Sequence, residues 1–516
     1  MDKFLIKGPC KIKGQVSISG SKNAALPILA STILFDKTVI IENLPRVKDI
    51  DTMLKLLKSL GSKIEFFQNK KTVKITKSNK RQILASYSLV KTMRAGILVL
   101  GPMIAKYNKS ITSLPGGCLI GARPVNYHLN ALKKLGMKYE IKKGYIHAFS
   151  KGKLRGADIK FSKISVGATE NSIIAACLAK GKTILKNCAI EPEIKDLTNF
   201  LNSAGANIKW IGKRTVKIIG VDSLKEIKYS VMGDRIETGT FCVAATLSKG
   251  DLLIQNFDPK LIQSELNLLK KIGAKINIFK NKIHIKGPKK IKNINSIETK
   301  EYPSCLSTDL QAQFMVLLCL ASGRSSITEN IFENRFMHVA ELRRLGAKIT
   351  IKRNKAIIEG PSEFTGAELM SSDLRASVAL VLAAIVSEGK SYINRIYHLD
   401  RGYEKIENKM RKIGVKIKSK VESFEIFNAN ENFILNAHLH YPIENFAELA
   451  SVVAFENKER EFNSRFSRSK SWLMLVGSAF TVAGFLNDSD GLNAELKIGI
   501  GTLLFTYVLN KIWTSK

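Results

Sequence analysis

LLKSLGSKI at 56–64 returns as ALKKLGMKY at 131–139, FLNSAGANI at 200–208, LLKKIGAKI at 268–276, LRRLGAKI at 342–349 and MRKIGVKI at 410–417. The shared glycines, Gly61, Gly136, Gly205, Gly273, Gly346 and Gly414, are 75, 69, 68, 73 and 68 residues apart, too regular for chance. In each copy leucines and isoleucines at i, i+3 and i+4 predict an amphipathic helix. The glycine supplies its left-handed C-terminal cap, and the alternating residues beyond it begin a strand.

Upstream of five copies lies a second matching stretch, an alanine-rich helix running through a glycine or Asp-Lys turn into a short strand. These are AALPILASTILFDKTVIIEN (24–43), SIIAACLAKGKTILKN (172–187), FCVAATLSKGDLLIQN (241–256), FMVLLCLASGRSSITEN (314–330) and VALVLAAIVSEGKSYINR (378–395). The second unit departs: GILVLGPMIAKYNKSITSLPGG (96–117) ends in a Gly-rich loop. Each unit therefore reads helix, strand, helix, strand. A single core rarely exceeds roughly 250–300 residues, and solenoid repeats usually run to about 20–50, so two α/β domains of three units each are expected.

The composition is that of a folded chain, 45% hydrophobic and 24% charged. Lys and Arg outnumber Asp and Glu by 82 to 44, a formal net charge of +38. The lysines are spread through every segment, with no arginine-rich or aromatic-interleaved block, so no nucleic-acid partner is expected. Such a positive field suits anionic small substrates instead. The seven cysteines are odd in number, widely spaced and without a C-x-x-C pair, a reduced intracellular pattern. MDKFLIKGPCKIKG at the N-terminus lacks the apolar core of a signal peptide, so a cytoplasmic protein is expected. No H-E-x-x-H spacing and no G-x-x-x-x-G-K-[ST] loop occurs; neither metal, cofactor nor nucleotide hydrolysis is expected.

Chemistry is expected where the repeat breaks, in LPGGCLIGARPVNYH at 114–128. Pro115, Gly116 and Gly117 exclude a regular helix or strand interior, so Cys118 rides on a loop. Arg123, five residues on, favours the thiolate and can bind an anion. The alternative for Cys118 is a passive loop thiol.

That loop, with SGSKNAALPIL (19–29), LVKTMRAGI (89–97), KISVGAT (163–169), EPEI (191–194), GDRIETGTF (233–241), STDLQAQF (307–314), TENIFENRFMHVAEL (328–342), SSDLRAS (371–377) and RIYHLDRGYEKIE (395–407), resembles the UDP-N-acetylglucosamine 1-carboxyvinyltransferases, an enolpyruvyl transferase family of peptidoglycan synthesis. The resemblance covers roughly residues 1–420. It implies an inside-out α/β barrel of two domains built from six βαβαββ-type units, with the active site in the cleft between them. The first strand would belong to the second domain, dividing the chain into 22–232 against 1–21 plus 233–420. 5-Enolpyruvylshikimate-3-phosphate synthase shares the architecture and the donor, but the PGGC loop argues against it. A silent scaffold on this fold is the rival of another class.

By resemblance, Lys22, Arg123 and Arg401 hold the phosphate and carboxylate of phosphoenolpyruvate, with Asn23 and Arg94 as further substrate contacts. Guanidinium forks suit those oxygens. Asp309 matches the base for the sugar 3-hydroxyl, though Ser307, Thr308 and Asp309 also read as a helix N-cap. Asp373 and Arg375 would steady the tetrahedral intermediate. Cys118 would protonate the methylene carbon of phosphoenolpyruvate or assist product release, and would be the site alkylated by the family inhibitor fosfomycin. The nucleotide sugar would meet Arg123, Pro124, Val125, Asn126, Tyr127, Lys163, Ile164, Ser165, Val166, Asp309 and Ile331. Two departures stand out. Asn126 replaces the usual aspartate, and Leu306-Ser307 the usual Phe-Pro, expected to weaken a uridine contact and loosen the Asp309 turn.

Residues 421–516 fall outside the resemblance and are read as a helical tail. Apolar stretches at 472–486 and 498–509 are each shorter than the roughly 20 residues that span a bilayer. Basic residues flank the pair (Arg465, Arg468 and Lys470; Lys511 and Lys516), and the link holding Asp488 and Asp490 is acidic. This fits a membrane-inserted hairpin with both ends in the cytosol, making membrane contact through 472–509; a soluble hairpin is the alternative.

Overall fold

The six repeat glycines all cap helices in the left-handed region, with φ between +95° and +111°. Asn43, Asn187, Asn256 and Arg395, which end four of the upstream stretches, also have positive φ. Four of the six units thus turn the chain at two fixed points. The computed structural model describes residues 3–67, 70–77, 82–116, 124–303 and 306–420. Met1–Ser423 is one compact unit. Cys118, Arg123 and the 421–516 tail lie outside the described residues, and with them the expected hairpin.

The described strands form six four-stranded sheets of one pattern. In the third unit, Asp158–Lys160 runs parallel to Lys182–Lys186, which pairs antiparallel with Thr215–Ile219. That strand in turn pairs with Asn207–Gly212. Two sheets borrow their parallel strand from outside their own repeat. Ile227–Ser230 lies beside Val39–Glu42, and Lys13–Ser17 beside Asp251–Gln255. The first strand, Lys3–Gly8, sits between Gly389–Asn394 and Ile417–Lys420 and closes the sixth sheet.

The alanine-rich helices lie inside these sheets. Every residue of Arg235–Leu247 and of Gln311–Cys319 is buried, as expected of helices without a polar stripe. Hydroxyls in Arg235–Leu247 are satisfied locally: Thr240 and Thr246 donate to carbonyls one turn back, Ile236 O and Cys242 O, at 2.8 Å each. The second helices, such as Lys48–Ser59, bury one face only. Buried apolar side chains fall into two clusters. One runs from Ala24 to Val231; the other joins Phe4–Ile18 to Ile236–Ile417.

In the second unit the strand Lys109–Ser113 leads into the Gly-rich loop. A Cβ on Gly116 would lie 2.1 Å from Lys91 O, so only glycine fits the loop stem. No helix among the described residues is long and apolar enough to cross a membrane.

Candidate active site

Lys22 opens the helix Lys22–Ser31, whose N-cap Ser21 accepts from Ala24 N at 3.3 Å. Ser21 N is itself anchored on Met232 O at 2.7 Å. Lys22 Nζ donates to Asp49 Oδ2 at 3.0 Å, and Arg401 Nε donates to Asp49 Oδ1, also at 3.0 Å. Burial alone would raise the Asp49 carboxyl, but the charges of Lys22 and Arg401 outweigh it and hold it below its ordinary range. One carboxylate thus sets two cations side by side and leaves a net positive charge facing any anion that arrives. Asn23, half-buried, follows directly.

A second group has the same logic. Asp309 accepts from Arg335 Nη2 at 2.7 Å on one oxygen and from Arg375 Nη2 at 2.9 Å on the other. Both arginines are nearly buried, whereas the Asp309 side chain keeps 26% exposure. Burial opposes ionisation here too, yet Arg375 and then Arg335 hold the Asp309 carboxyl far below its usual range. The N-cap alternative is set aside by geometry. Ser307 makes no side-chain cap bond, Thr308–Leu310 is a 3-10 turn, and the Asp309 carboxylate is spent on the arginines. Leu306, at the departure from Phe-Pro, is fully buried and bridged to Thr299. Asp373 caps Leu374–Val386, accepting from Arg375 N at 2.9 Å and Ala376 N at 3.2 Å.

The two groups share one neighbourhood. His398 feels both the Arg401 and the Asp373 charge, and His338 both Asp373 and Arg335. Glu329, buried, ties Ile331 to the Asp309 turn: it accepts from Ile331 N at 2.8 Å and from Thr308 Oγ1 at 3.0 Å.

Of the expected nucleotide-sugar residues, Pro124 through Tyr127 and Lys163 through Val166 gather on two helix starts. Val125 and Tyr127 are half-buried, packing on the first apolar cluster, while Pro124 and Asn126 are exposed. Asn126 Oδ1 accepts from Tyr127 N at 3.1 Å. Ser165 caps Val166–Ala176 by accepting from Ala168 N at 3.3 Å. Lys163 is exposed and Ile164 half-buried beside it, while Val166 is 39% exposed. Arg94, half-buried, starts the turn Arg94–Val99 and acts electrostatically on His128.

Sequence reasoning missed Asp49, Arg335 and Glu329 as site residues. Arg335 stood in a quoted motif, TENIFENRFMHVAEL, and Asp49 read as an ordinary acidic residue in a first helical turn. Among the described residues no group of three or more His, Cys, Asp or Glu side chains is placed to hold a metal ion.

Residues 6–410 match the family model described as EPSP synthase (3-phosphoshikimate 1-carboxyvinyltransferase). A UDP-N-acetylglucosamine 1-carboxyvinyltransferase of Pelagibacter ubique (strain HTCC1062) is 64% identical over 418 residues, 81% of this chain and 99% of that protein. One of Pseudoalteromonas atlantica (strain T6c / ATCC BAA-1087) is 49% identical over 417 residues, with the same coverage of 81% and 99%. Among solved structures, the enolpyruvyl transferase NikO from Streptomyces tendae aligns with a TM-score of 0.73 at 21% identity, covering 81% of this chain and 99% of that one. EPSP synthase from Acinetobacter baumannii aligns at 0.66 and 18% identity, covering 82% and 100%. These two share the fold, the inside-out α/β barrel of six units. With relatives this similar along their whole length, the chain belongs to the UDP-N-acetylglucosamine 1-carboxyvinyltransferases, within the enolpyruvyl transferase family.

Proposed function

We propose that the chain moves the enolpyruvyl group of phosphoenolpyruvate onto the 3-hydroxyl of UDP-N-acetylglucosamine, releasing phosphate, in the first committed step of peptidoglycan synthesis. The observation that carries this is the Lys22–Asp49–Arg401 bridge, which sets two cations far apart in the sequence at hydrogen-bond distance of one carboxylate. Lys22, Arg401 and Arg123 take the phosphate and carboxylate of the donor, with Asn23 and Arg94 beside them. The sugar oxygen bonds to C2 of the donor's enol phosphate as its own proton passes to Asp309. Cys118 delivers a proton to the methylene carbon, giving a methyl group and a tetrahedral phosphate adduct. Loss of phosphate and of one methyl proton regenerates the double bond.

Paired as it stands, Asp309 is a weak base. It accepts the proton once the substrate's anionic oxygens draw the Arg335 and Arg375 charge away from it, with Asp373 holding the helix start that carries Arg375. Arg123, Pro124, Val125, Asn126, Tyr127, Lys163, Ile164, Ser165, Val166 and Ile331 take the nucleotide sugar. We infer further that residues 22–232 and 1–21 plus 233–420 act as two lobes closing on this site, a division supported by the two apolar clusters.

The deciding assay is phosphate release from phosphoenolpyruvate with either acceptor. Release with UDP-N-acetylglucosamine is expected; release with shikimate 3-phosphate, or with neither, rejects the reading. The reaction is cytoplasmic in this reading, with the tail reaching a membrane through 472–509. Full-length chain found wholly in the soluble fraction after lysis rejects that membrane contact.

A further inference from the structure

Asn171, fully buried in the helix Val166–Ala176, has its amide orientation fixed by the backbone. Its Oδ1 accepts from Gly101 N at 2.8 Å, and its Nδ2 donates to Ile97 O at 3.1 Å. The same Nδ2 lies 3.1 Å from His128 Nδ1. A nitrogen facing that N–H must accept, so it carries no proton, and the proton of the neutral ring sits on Nε2. Burial first, and then the Arg94 charge, lower the His128 ring to about 3, which keeps it neutral.

The Nε2 edge is aimed at one place. A Cβ on Gly167 would lie 3.1 Å from His128 Cε1 and 3.3 Å from Nε2, so the ring abuts the first turn of Val166–Ala176 where a side chain would stand. His128 is 5% exposed, and its Nε2–H makes no hydrogen bond among the described residues. An eleven-residue helix start, the Arg94 charge and the Nε2–H of a buried ring, which has no hydrogen bond among the described residues, therefore lie together. The first two attract an anion. The third is a donor whose direction is fixed and which adds no like charge beside Arg94.

We propose that His128 is a binding residue for the nucleotide sugar, its Nε2–H donating to a phosphate oxygen held at the first turn of Val166–Ala176. This rests on the assignment of Lys163 through Val166 to the same ligand. A side chain at Gly167 would then push the ring aside by a few tenths of an ångström, and Asn171 is required as the residue that fixes the tautomer.

His128→Asn keeps an acceptor for Asn171 but removes the Nε2–H, whereas His128→Gln places an amide N–H near the Nε2 position. With phosphoenolpyruvate saturating, His128→Asn is expected to raise the KM for UDP-N-acetylglucosamine on the order of tenfold, the loss of one hydrogen bond to a charged group. The KM for phosphoenolpyruvate and the melting temperature stay at wild-type values, and His128→Gln recovers most of the loss. Wild-type kinetics in both variants overturns the proposal, as does an equal loss in both accompanied by a fall in melting temperature. Lys163→Ala separates the two assignments. If it raises the sugar-nucleotide KM while His128→Asn does not, His128 alone is wrong. If Lys163→Ala has no effect while His128→Asn does, the assignment of 163–166 is wrong and His128 stands. Should the variants fail to fold, 15N spectra of the wild-type imidazoles decide. The His128 Nε2–H resonance must move on adding UDP-N-acetylglucosamine, and an unmoved signal or an Nδ1–H tautomer overturns the proposal.

Discussion

Asp49 Oδ1 lies 3.0 Å from Arg401 Nε, joining two residues 352 positions apart in the chain, while its other oxygen takes Lys22. Asp49→Asn leaves two buried or half-buried cations facing each other without their counter-charge, which typically costs about 3–5 kcal/mol. The expected outcome is a lower melting temperature together with a fall of roughly tenfold or more in kcat/KM for phosphoenolpyruvate. Steady-state kinetics alongside thermal unfolding check both. A variant with native kinetics would show that Lys22 and Arg401 find their places without the carboxylate.

Asp309→Asn preserves the shape of the group held by Arg335 and Arg375 but removes the proton acceptor. Its kcat should fall about 10²- to 10⁴-fold, with a much smaller change in the KM for the sugar nucleotide. Arg335→Lys keeps the charge but not the planar fork. It is expected to fall between wild type and Asp309→Asn in kcat, because the lysine holds Asp309 by one bond less rigidly. Equal activity of Arg335→Lys and wild type would sink the idea that the fork positions Asp309.

Cys177, Cys188, Cys242 and Cys319 belong to the interior. Burial pushes Cys177, Cys188 and Cys319 up to about 12 and raises Cys242 as well. A thiol that stays protonated and covered does not react. Brief alkylation of the native protein followed by peptide mapping is expected to leave these four unmodified. Cys118→Ala should abolish labelling by fosfomycin; persistent epoxide labelling in that variant would place the reactive thiol elsewhere.

Asp196 gives a pH signature. Burial raises its carboxyl from the ordinary 3.8 to about 6, despite hydrogen bonds from Tyr229 and Met232 N. The folded state therefore holds more protons than the unfolded one between those two values, and this group's contribution to stability falls as pH rises through that window. Above it the contribution is a constant penalty of about 3 kcal/mol. In Asp196→Ala, unfolding free energies measured across pH 3.8 to 6 should lose that downward component. Identical pH slopes in the two proteins would refute the shift.

The repeat was legible because each unit needs a left-handed residue after its helix, and glycine at Gly61 through Gly414 announces that need in the sequence. The burial of the first helices was legible too, since AALPILAS or VALVLAAIV has no polar stripe to turn outward. The origin of three strands was not legible from periodicity. Nothing local in Lys3–Gly8 says that its partners lie beyond residue 388; only long-range packing decides it. Site residues divide in the same way. Lys22, Asp309 and Arg401 stand in quoted motifs, whereas Asp49 resembles any acidic residue at a helix start until the fold brings Arg401 to it. His128 closes a quoted motif, LPGGCLIGARPVNYH, and nothing in that motif separates it from a structural histidine. Only in the fold does the fixed amide of Asn171 show that Nδ1 accepts and that the ring proton sits on Nε2.

The placement of Lys3–Gly8 between Gly389–Asn394 and Ile417–Lys420 bears on how the chain is made. Roughly 380 residues separate this strand from its first partner, which at ribosomal rates is a wait on the order of 20–80 seconds. The Ala24–Val231 cluster is contiguous and can close during that time, while the cluster that needs Phe4 and Ile6 cannot. The nascent chain therefore carries a finished half beside the still unpartnered strand Lys3–Gly8, and a chaperone that shields unpaired strands would have its longest task there.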